Sequence, residues 1–443
     1  MSQAKGYMGR TAIFFEPTYK GTPSPKNGII IPFNENKIQL TQGIIKTNTI
    51  LNRRDSARPG LGRKTVGGSL VLPSCYRTMG YFLKAMFGAP TTTGGTTAGY
   101  VTGATGVTTT IGTWNAITDG SFSVTINGVA HDITAIDLSL AADMDAVAAA
   151  IQVKVRAIAT GGFTLATVAW QVGTTNFKIT SGTLGVASSV SALSAAATGT
   201  DISGASFMKC HAAVATLTAG TGRYTHVYKI TNTEQPSLKV EKGFTDLGKY
   251  YLADGIKIAK FSTAYGIGDN EHIHTLDILG SSETESNSEY DASATALVLS
   301  RMNDYESSIK EGGATVANIS NIEFALELGL DPEQFGIGGG NVRTSLPEGQ
   351  VALTGKIVAF FTDTTILAKA MAGTKSSIEV KSENSAGDSL TYKLSEMMYS
   401  VTTPVIEGPT GVKLTADISA FYENDAGNSS LITTLVNDVP SYA

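Results

Sequence analysis

The sequence predicts a mainly β protein in which one sheet-and-helix unit occurs twice in tandem, interrupted once by a small α+β module. Three observations carry this. The 443 residues are 42% hydrophobic and only 16% charged, with 48 Gly, a balance that favours short strands and many turns over Leu-rich helical bundles. Distant segments match each other at a constant offset. A stretch of different composition, rich in Ala, Thr, Gly and Ser, runs from roughly Thr97 to Thr221.

The repeat is clearest in its later strands. Ser237-Leu-Lys-Val-Glu241 matches Ser377-Ile-Glu-Val-Lys381, and Thr275-Leu-Asp-Ile278 matches Thr415-Ala-Asp-Ile418 with no gap between the matches, a self-similarity that marks a repeated structural unit. Upstream, Gly68-Ser-Leu-Val71 and Leu83-Lys-Ala-Met-Phe-Gly88 are echoed by Gly355-Lys-Ile-Val358 and Ala368-Lys-Ala-Met-Ala-Gly373. Further back, Ile38-Gln-Leu40 parallels Ile322-Glu-Phe324. Each unit therefore reads as strand, long loop, strand, short helix, then three or four strands. Val412, Leu414, Ala416 and Ile418 alternate with Lys413, Thr415, Asp417 and Ser419, and Ile322, Phe324, Leu326 and Leu328 alternate with Glu323 and Glu327, the period of half-buried antiparallel strands. Met79, Phe82, Leu83, Met86 and Phe87 before Gly88, and Ile366, Leu367, Ala370 and Met371 before Gly373, have helical spacing and a glycine stop. Each helix is expected to cover one face of its sheet. The domain boundaries expected are 1–96 with 222–312 for the first unit, 97–221 for the insertion and 313–443 for the second unit.

Within the insertion, Phe122, Val124 and Ile126 alternate up to Asn127-Gly128, a hairpin signal, and Val129, His131 and Ile133 continue beyond it. Ser139 is the expected cap of a helix whose stripe is Met144, Val147, Ile151, Val155 and Ile158, with Asp143 and Asp145 near its positive end. Strands carrying Val168, Trp170 and Val172, then Phe177 and Ile179, complete the module.

Several function classes lose their residues here. There is no G-x-S-x-G, Walker A, H-E-x-x-H or C-x-x-C motif, so no enzyme and no cofactor is expected. Gly336, Gly338, Gly339 and Gly340 follow Pro332 without a helix start and read as a loop. His272 and His274 share a strand face but lack a third ligand at a suggestive spacing, so a packed or solvated pair is favoured over a metal site. Cys75 and Cys210 read as buried free thiols. A formal charge of −5 and a pI near 5.6 exclude a protein whose overall field attracts nucleic acid. No apolar run approaches a membrane span, and Met1 to Arg10 lacks the apolar region of a secretory leader.

With the insertion set aside, Leu83-Lys-Ala-Met-Phe-Gly-Ala-Pro-Thr-Thr-Thr-Gly94 runs into Gly222-Arg-Tyr-Thr-His-Val-Tyr228 and Pro236-Ser-Leu-Lys-Val-Glu-Lys-Gly-Phe244. This order resembles the tail tube (major tail) proteins of long-tailed bacteriophages, over nearly the whole chain outside the insertion. The inserted segment, from Trp114-Asn-Ala-Ile-Thr-Asp-Gly-Ser-Phe122 to Gly199-Thr-Asp-Ile202, is more loosely similar to an accessory module of other tail structural proteins, sheath-like ones included. The resemblance implies β-sandwich or barrel units joined into rings that stack as a hollow tube and conduct the genome, located in the virion tail and assembled in the host cytoplasm. Because the unit occurs twice, three chains per ring with pseudo-sixfold symmetry are expected. Implied partners are further copies of the chain and other tail proteins: tape measure, baseplate or tip, terminator and a sheath. DNA would pass transiently without specific binding, and no membrane is involved. The insertion is expected on the outside of the tube, as decoration or a contact to a sheath or host glycans. A tail-associated adhesin using the insertion is the alternative.

Two residue sets follow. A channel that conducts DNA must not hold it, because each phosphate neutralised by Lys or Arg adds affinity. Asp277 and Asp417, equivalent in the two repeats, with Glu323 and Glu327, are the candidates for lumen-facing carboxylates; the outer surface is the competing placement. Arg53, Arg54, Arg58, Arg63 and Lys64 form the one basic run, in a long loop from Asn52 to Lys64. The resemblance makes it an inter-ring contact able to pair with carboxylates; a solvated loop and a DNA patch are the other readings, the last lacking interleaved aromatics.

Overall fold

The computed structural model describes residues 3–442 apart from 51, 96, 269–270, 317, 407, 409–410 and 424–428. The protein is mainly β, with 44% of residues in strands and 10% in helices. It divides into two compact units, one of Met1–Thr91 with His226–Leu435 and Tyr442–Ala443, the other of Thr92–Thr225 with Val436–Ser441.

The larger unit holds both copies of the repeat. In chain order its main elements are β1 (Gly9–Phe15), β2 (Gln39–Ile45), β3 (Gly60–Pro73), α1 (Met79–Phe87), β4 (Leu238–Phe244), β5 (Lys249–Gly266), β6 (Ile273–Gly280), β7 (Ile319–Glu327), β8 (Ala352–Phe360), α2 (Thr365–Ala372), β9 (Ser376–Glu383), β10 (Ser389–Tyr399) and β11 (Lys413–Ala420). One antiparallel ladder runs β2–β3–β6–β5–β7–β8–β11, using the second half of β5. The first half of β5 pairs instead with β4, which pairs with β1. In the same way β10 pairs with β9 and reaches β11 only through its last residues, Met397 to Tyr399.

Cross-strand register shows the duplication residue by residue. Gly68 of β3 lies opposite Ile278 of β6, and Gly355 of β8 opposite Ile418 of β11, so these four positions keep the correspondence seen in the sequence. A Cβ on Gly68 would meet the Lys37 carbonyl oxygen at 2.1 Å and Ile38 Cα at 3.0 Å; one on Gly355 would meet the Glu323 oxygen at 2.7 Å and Phe324 Cα at 3.4 Å. Both glycines thus allow the same close backbone approach. They also correct one alignment, since Ile38 corresponds to Phe324 and not to Ile322. A two-residue slip keeps every side chain on its face, so alternation alone does not reveal it.

The ladder has one buried and one open face. Leu70, Leu276, Ile278, Phe261, Phe324, Leu326, Ile357 and Ile418 point inward, where Tyr392 of β10 packs edge-on against Phe324 with ring centroids 5.2 Å apart. Helix α1 joins this core, with Met79, Phe82, Leu83 and Met86 buried, and it stops at Gly88, whose N–H bonds the Lys84 carbonyl at 2.8 Å. Helix α2 packs against β10 but covers less, with Ala370 buried, Ile366 and Leu367 half-buried and Met371 71% exposed. Tyr442 roofs α1, meeting Tyr81 edge-to-face at 4.9 Å.

The second unit has its own core around Trp114, Phe122, Phe163 and Phe177. Strands Gly120–Ile126 and Val129–Ile136 form the predicted hairpin, with Asn127 and Gly128 at positive φ. The helix Met144–Arg156 is capped by Asp143, which accepts the Ala146 N–H at 2.8 Å, and not by Ser139. An Asp three residues before an amide outcompetes a Ser that lies four residues too early. Val172 falls just beyond the strand Thr167–Gln171.

Candidate channel face and assembly edges

The open face of the ladder is where the four predicted carboxylates meet. Asp277 on β6, Glu323 and Glu327 on β7 and Asp417 on β11 are all exposed, on the side opposite the aromatic core, because each occupies the polar phase of an alternating strand. Register also brings two lysines among them. Lys260 of β5 lies opposite Asp277 on one side and Glu327 on the other, with its Nζ 3.0 Å from Glu327 Oε1. Lys356 of β8 lies between Glu323 and Asp417. The face therefore carries two rungs of the form carboxylate, lysine, carboxylate, each with one excess negative charge. Lys260, Glu323, Lys356 and Asp417 line one broad trough along it. A lysine held between two carboxylates is partly neutralised before a phosphate arrives. Reading strands singly missed both lysines; alternation in Thr354-Gly-Lys356 was the available signal.

The basic run divides. Arg53, Arg54 and Arg58 lie in the exposed connection between β2 and β3, with Arg53 paired to Asp55 at 2.9 Å. Arg63 and Lys64 are strand residues of β3, a correction to the loop expected for them, because pairing with β2 extends to Gly60 opposite Ile45. Arg63 is bound within its own chain, 2.9 Å from Glu333 and stacked over Phe335 with the guanidinium 4.7 Å from the ring centroid. The glycine-rich segment is a loop, as expected, anchored by buried Arg343, which donates to the carbonyls of Pro332, Val66 and Gly280 at 2.7–2.9 Å.

His272 and His274 are a packed pair. Both are buried and both bond Thr263 Oγ1 at 3.1 Å. His272 Nδ1 reaches Asp304 at 2.7 Å, and His274 Nε2 meets Ser74. Burial lowers the pKa of His272, against the opposing pull of Asp304, and puts that of His274 well below the ordinary value. Cys75 and Cys210 are free and buried, and burial pushes the Cys210 thiol up to about 12.

A family model described as phage tail tube protein matches residues 180–420, more than half of the chain, including the later strands of the first repeat and most of the second. The chain belongs to the phage tail tube protein family. A second model, described as the insert domain of the E217 tail sheath protein gp31, matches residues 96–221, the segment of distinct composition. No curated protein matches the chain. Membership makes it a structural protein of the virion tail, and β5, β6, β7, β8 and β11 of the open ladder lie within the matched residues, with β2 and β3 before them. Among the described residues no helix is long and apolar enough to cross a membrane.

Proposed function

We propose that this tube protein assembles into rings of three chains that stack into the hollow tail tube, with the open carboxylate-bearing face lining the channel through which DNA is ejected. The observation that carries the reading is the joint between the repeats: β5 of the first copy and β7 of the second are hydrogen-bonded neighbours from Lys260–Glu327 to Gly266–Asn321. The two copies thus already form an edge-to-edge arc with one face open, and an arc with two free ends closes into a ring by repeating its own joint.

Geometry favours three chains. Counting the end of β10 beside β11, each copy gives four strands and the ring about 24; at ~4.8 Å spacing and ~40° tilt the backbone circle is roughly 48 Å across. Side chains reaching in by about 5 Å on each side leave roughly 38 Å, room for a duplex about 20 Å wide. Six chains would double the circle to roughly 96 Å. The paired lysines and excess carboxylates suit a wall that does not grip phosphate. In this reading Arg53, Arg54 and Arg58 contact the next ring, other tail proteins cap the tube ends, and the chain has no catalytic task. Electron microscopy of the purified protein tests it: hollow tubes of uniform width are expected, and dispersed monomers under all solution conditions would reject it.

A further inference from the structure

The internal joint also specifies the joint between chains. Resting on the ring reading, we infer that residues 35–41 of one copy pair with residues 400–406 of a second copy, Thr41 opposite Ser400, and that the latter segment becomes a strand only in the assembly.

The registers of the two copies superpose. Ile38 corresponds to Phe324, so Leu40 corresponds to Leu326 and Thr41 to Glu327. On the other edge, Tyr399 opposite Ile418 matches Ile258 opposite Ile278. β5 then bulges between Ile258 and Lys260, which makes Ser400 the counterpart of Lys260; the Ser400 N–H indeed bonds the Asp417 carbonyl at 2.9 Å, as that register requires. Val401, Thr403 and Val405 become the counterparts of Phe261, Thr263 and Tyr265. In the internal joint Phe261 pairs with Leu326, Thr263 with Phe324 and Tyr265 with Ile322.

Burial agrees with this correspondence. Phe261, Tyr265 and Leu326 are at most 3% exposed, whereas Val401 and Val405 are 59% and 61% exposed and Leu40 is 36% exposed. After Tyr399 the chain from Val401 to Ile406 carries no strand, although its counterpart Phe261–Gly266 is strand, paired with β7 throughout and with β6 as far as Thr263; Pro404, which has no N–H to give, matches Ala264, just past the end of that second pairing. Apolar residues in alternation, exposed beside a sheet edge that no described strand fills, are a template for another chain. Hydrogen-bond direction agrees too. The Leu328 N–H bonds the Ala259 carbonyl at 2.9 Å, so amides of that parity in β7, Leu326 included, face β5. The corresponding Leu40 N–H faces away from β3 and is taken by the Glu283 carboxylate at 2.8 Å. Glu283 thus guards the edge in the free subunit and must release it on assembly.

The test is cysteine cross-linking of the full chain at Thr41→Cys with Ser400→Cys, both on the open face and within reach of an oxidant, with Thr41→Cys and Thr402→Cys as the pair two residues out of register. The in-register pair is expected to convert tubes into covalent multimers on a non-reducing gel, while the shifted pair stays mainly monomeric. Tubes that form without in-register cross-links, or that cross-link through the shifted pair, overturn this edge assignment and leave the ring reading standing. Absence of tubes from the unaltered protein overturns both. Hydrogen exchange on the unaltered protein needs no variant: amides of Val401, Thr402, Thr403, Val405 and Leu40 should slow by on the order of a hundredfold or more on assembly, and unchanged rates contradict the inference.

Discussion

Lys356 lies directly opposite Asp417 across the β8–β11 ladder, and Glu323 flanks the same lysine on its other side. Changing Asp417→Lys turns that rung from one excess negative charge to one excess positive charge. The ladder itself tolerates an exposed substitution, so tubes still form, but DNA ejection slows. The delay should be largest at low ionic strength and shrink as salt rises, because phosphate contacts are screened and released by counterions. Ejection followed by fluorescence at two salt concentrations measures it; unchanged kinetics at both remove Asp417 from the channel wall.

Acid should loosen the larger unit through its buried histidines. The folded pKa values of His272 and His274 are lowered, so below about pH 6.5 the unfolded chain takes up protons that the native state refuses. Their contribution to stability is therefore flat above about pH 6.5 and falls as pH drops below it, by up to about 1.4 kcal/mol per pH unit for each group. Urea midpoints of the subunit between pH 7.5 and 5 give the slope, and His274→Phe should flatten it.

Gly68 and Gly355 are the tightest test of the duplicated geometry. An added methyl would lie 2.1 Å from the Lys37 carbonyl oxygen at Gly68, where φ is +143°, and 2.7 Å from that of Glu323 at Gly355. Gly68→Ala is expected to cost about 2 kcal/mol or more and Gly355→Ala somewhat less. Gly60→Ala, with open space around it, should be near neutral. Denaturant melts of the three variants rank them.

The basic run should separate by position. Replacing Arg53 and Arg54 with Ala, in the exposed β2–β3 connection, is expected to give single rings or short stacks in place of long tubes. Arg63→Ala should shorten tubes far less, since Arg63 is engaged with Glu333 and Phe335 of its own chain, and an exposed pair of that kind contributes under about 1 kcal/mol. Tube lengths counted in micrographs of both variants check this; equal lengths for Arg53/Arg54 variants and the parent would count against a stacking role.

Much of this architecture was legible in the residues. Alternation in β7 and β11 named the buried and exposed phases, and the constant offset between Thr275–Ile278 and Thr415–Ile418 exposed the repeat. What the chain alone could not give was pairing. Lys260 and Lys356 are ordinary polar-phase lysines until register sets carboxylates on both sides of them. Ile38 aligned two residues out because a strand repeats its pattern every two residues. Arg63 and Lys64 read as loop because neighbouring Gly60 and Gly62 suggest a turn, whereas pairing with β2 carries the strand through both glycines. Helix α2 has the periodicity of α1, yet periodicity does not report how much of the stripe is covered, and Met371 stays exposed.

Whether three chains close one ring is read from the rotational symmetry of the assembled tube. Cryo-electron microscopy of tubes should show three chains per ring, with six similar lobes around the channel and the carboxylate face turned inward. A ring of six complete chains, or a channel lined by the face that buries Phe261 and Phe324, would contradict it.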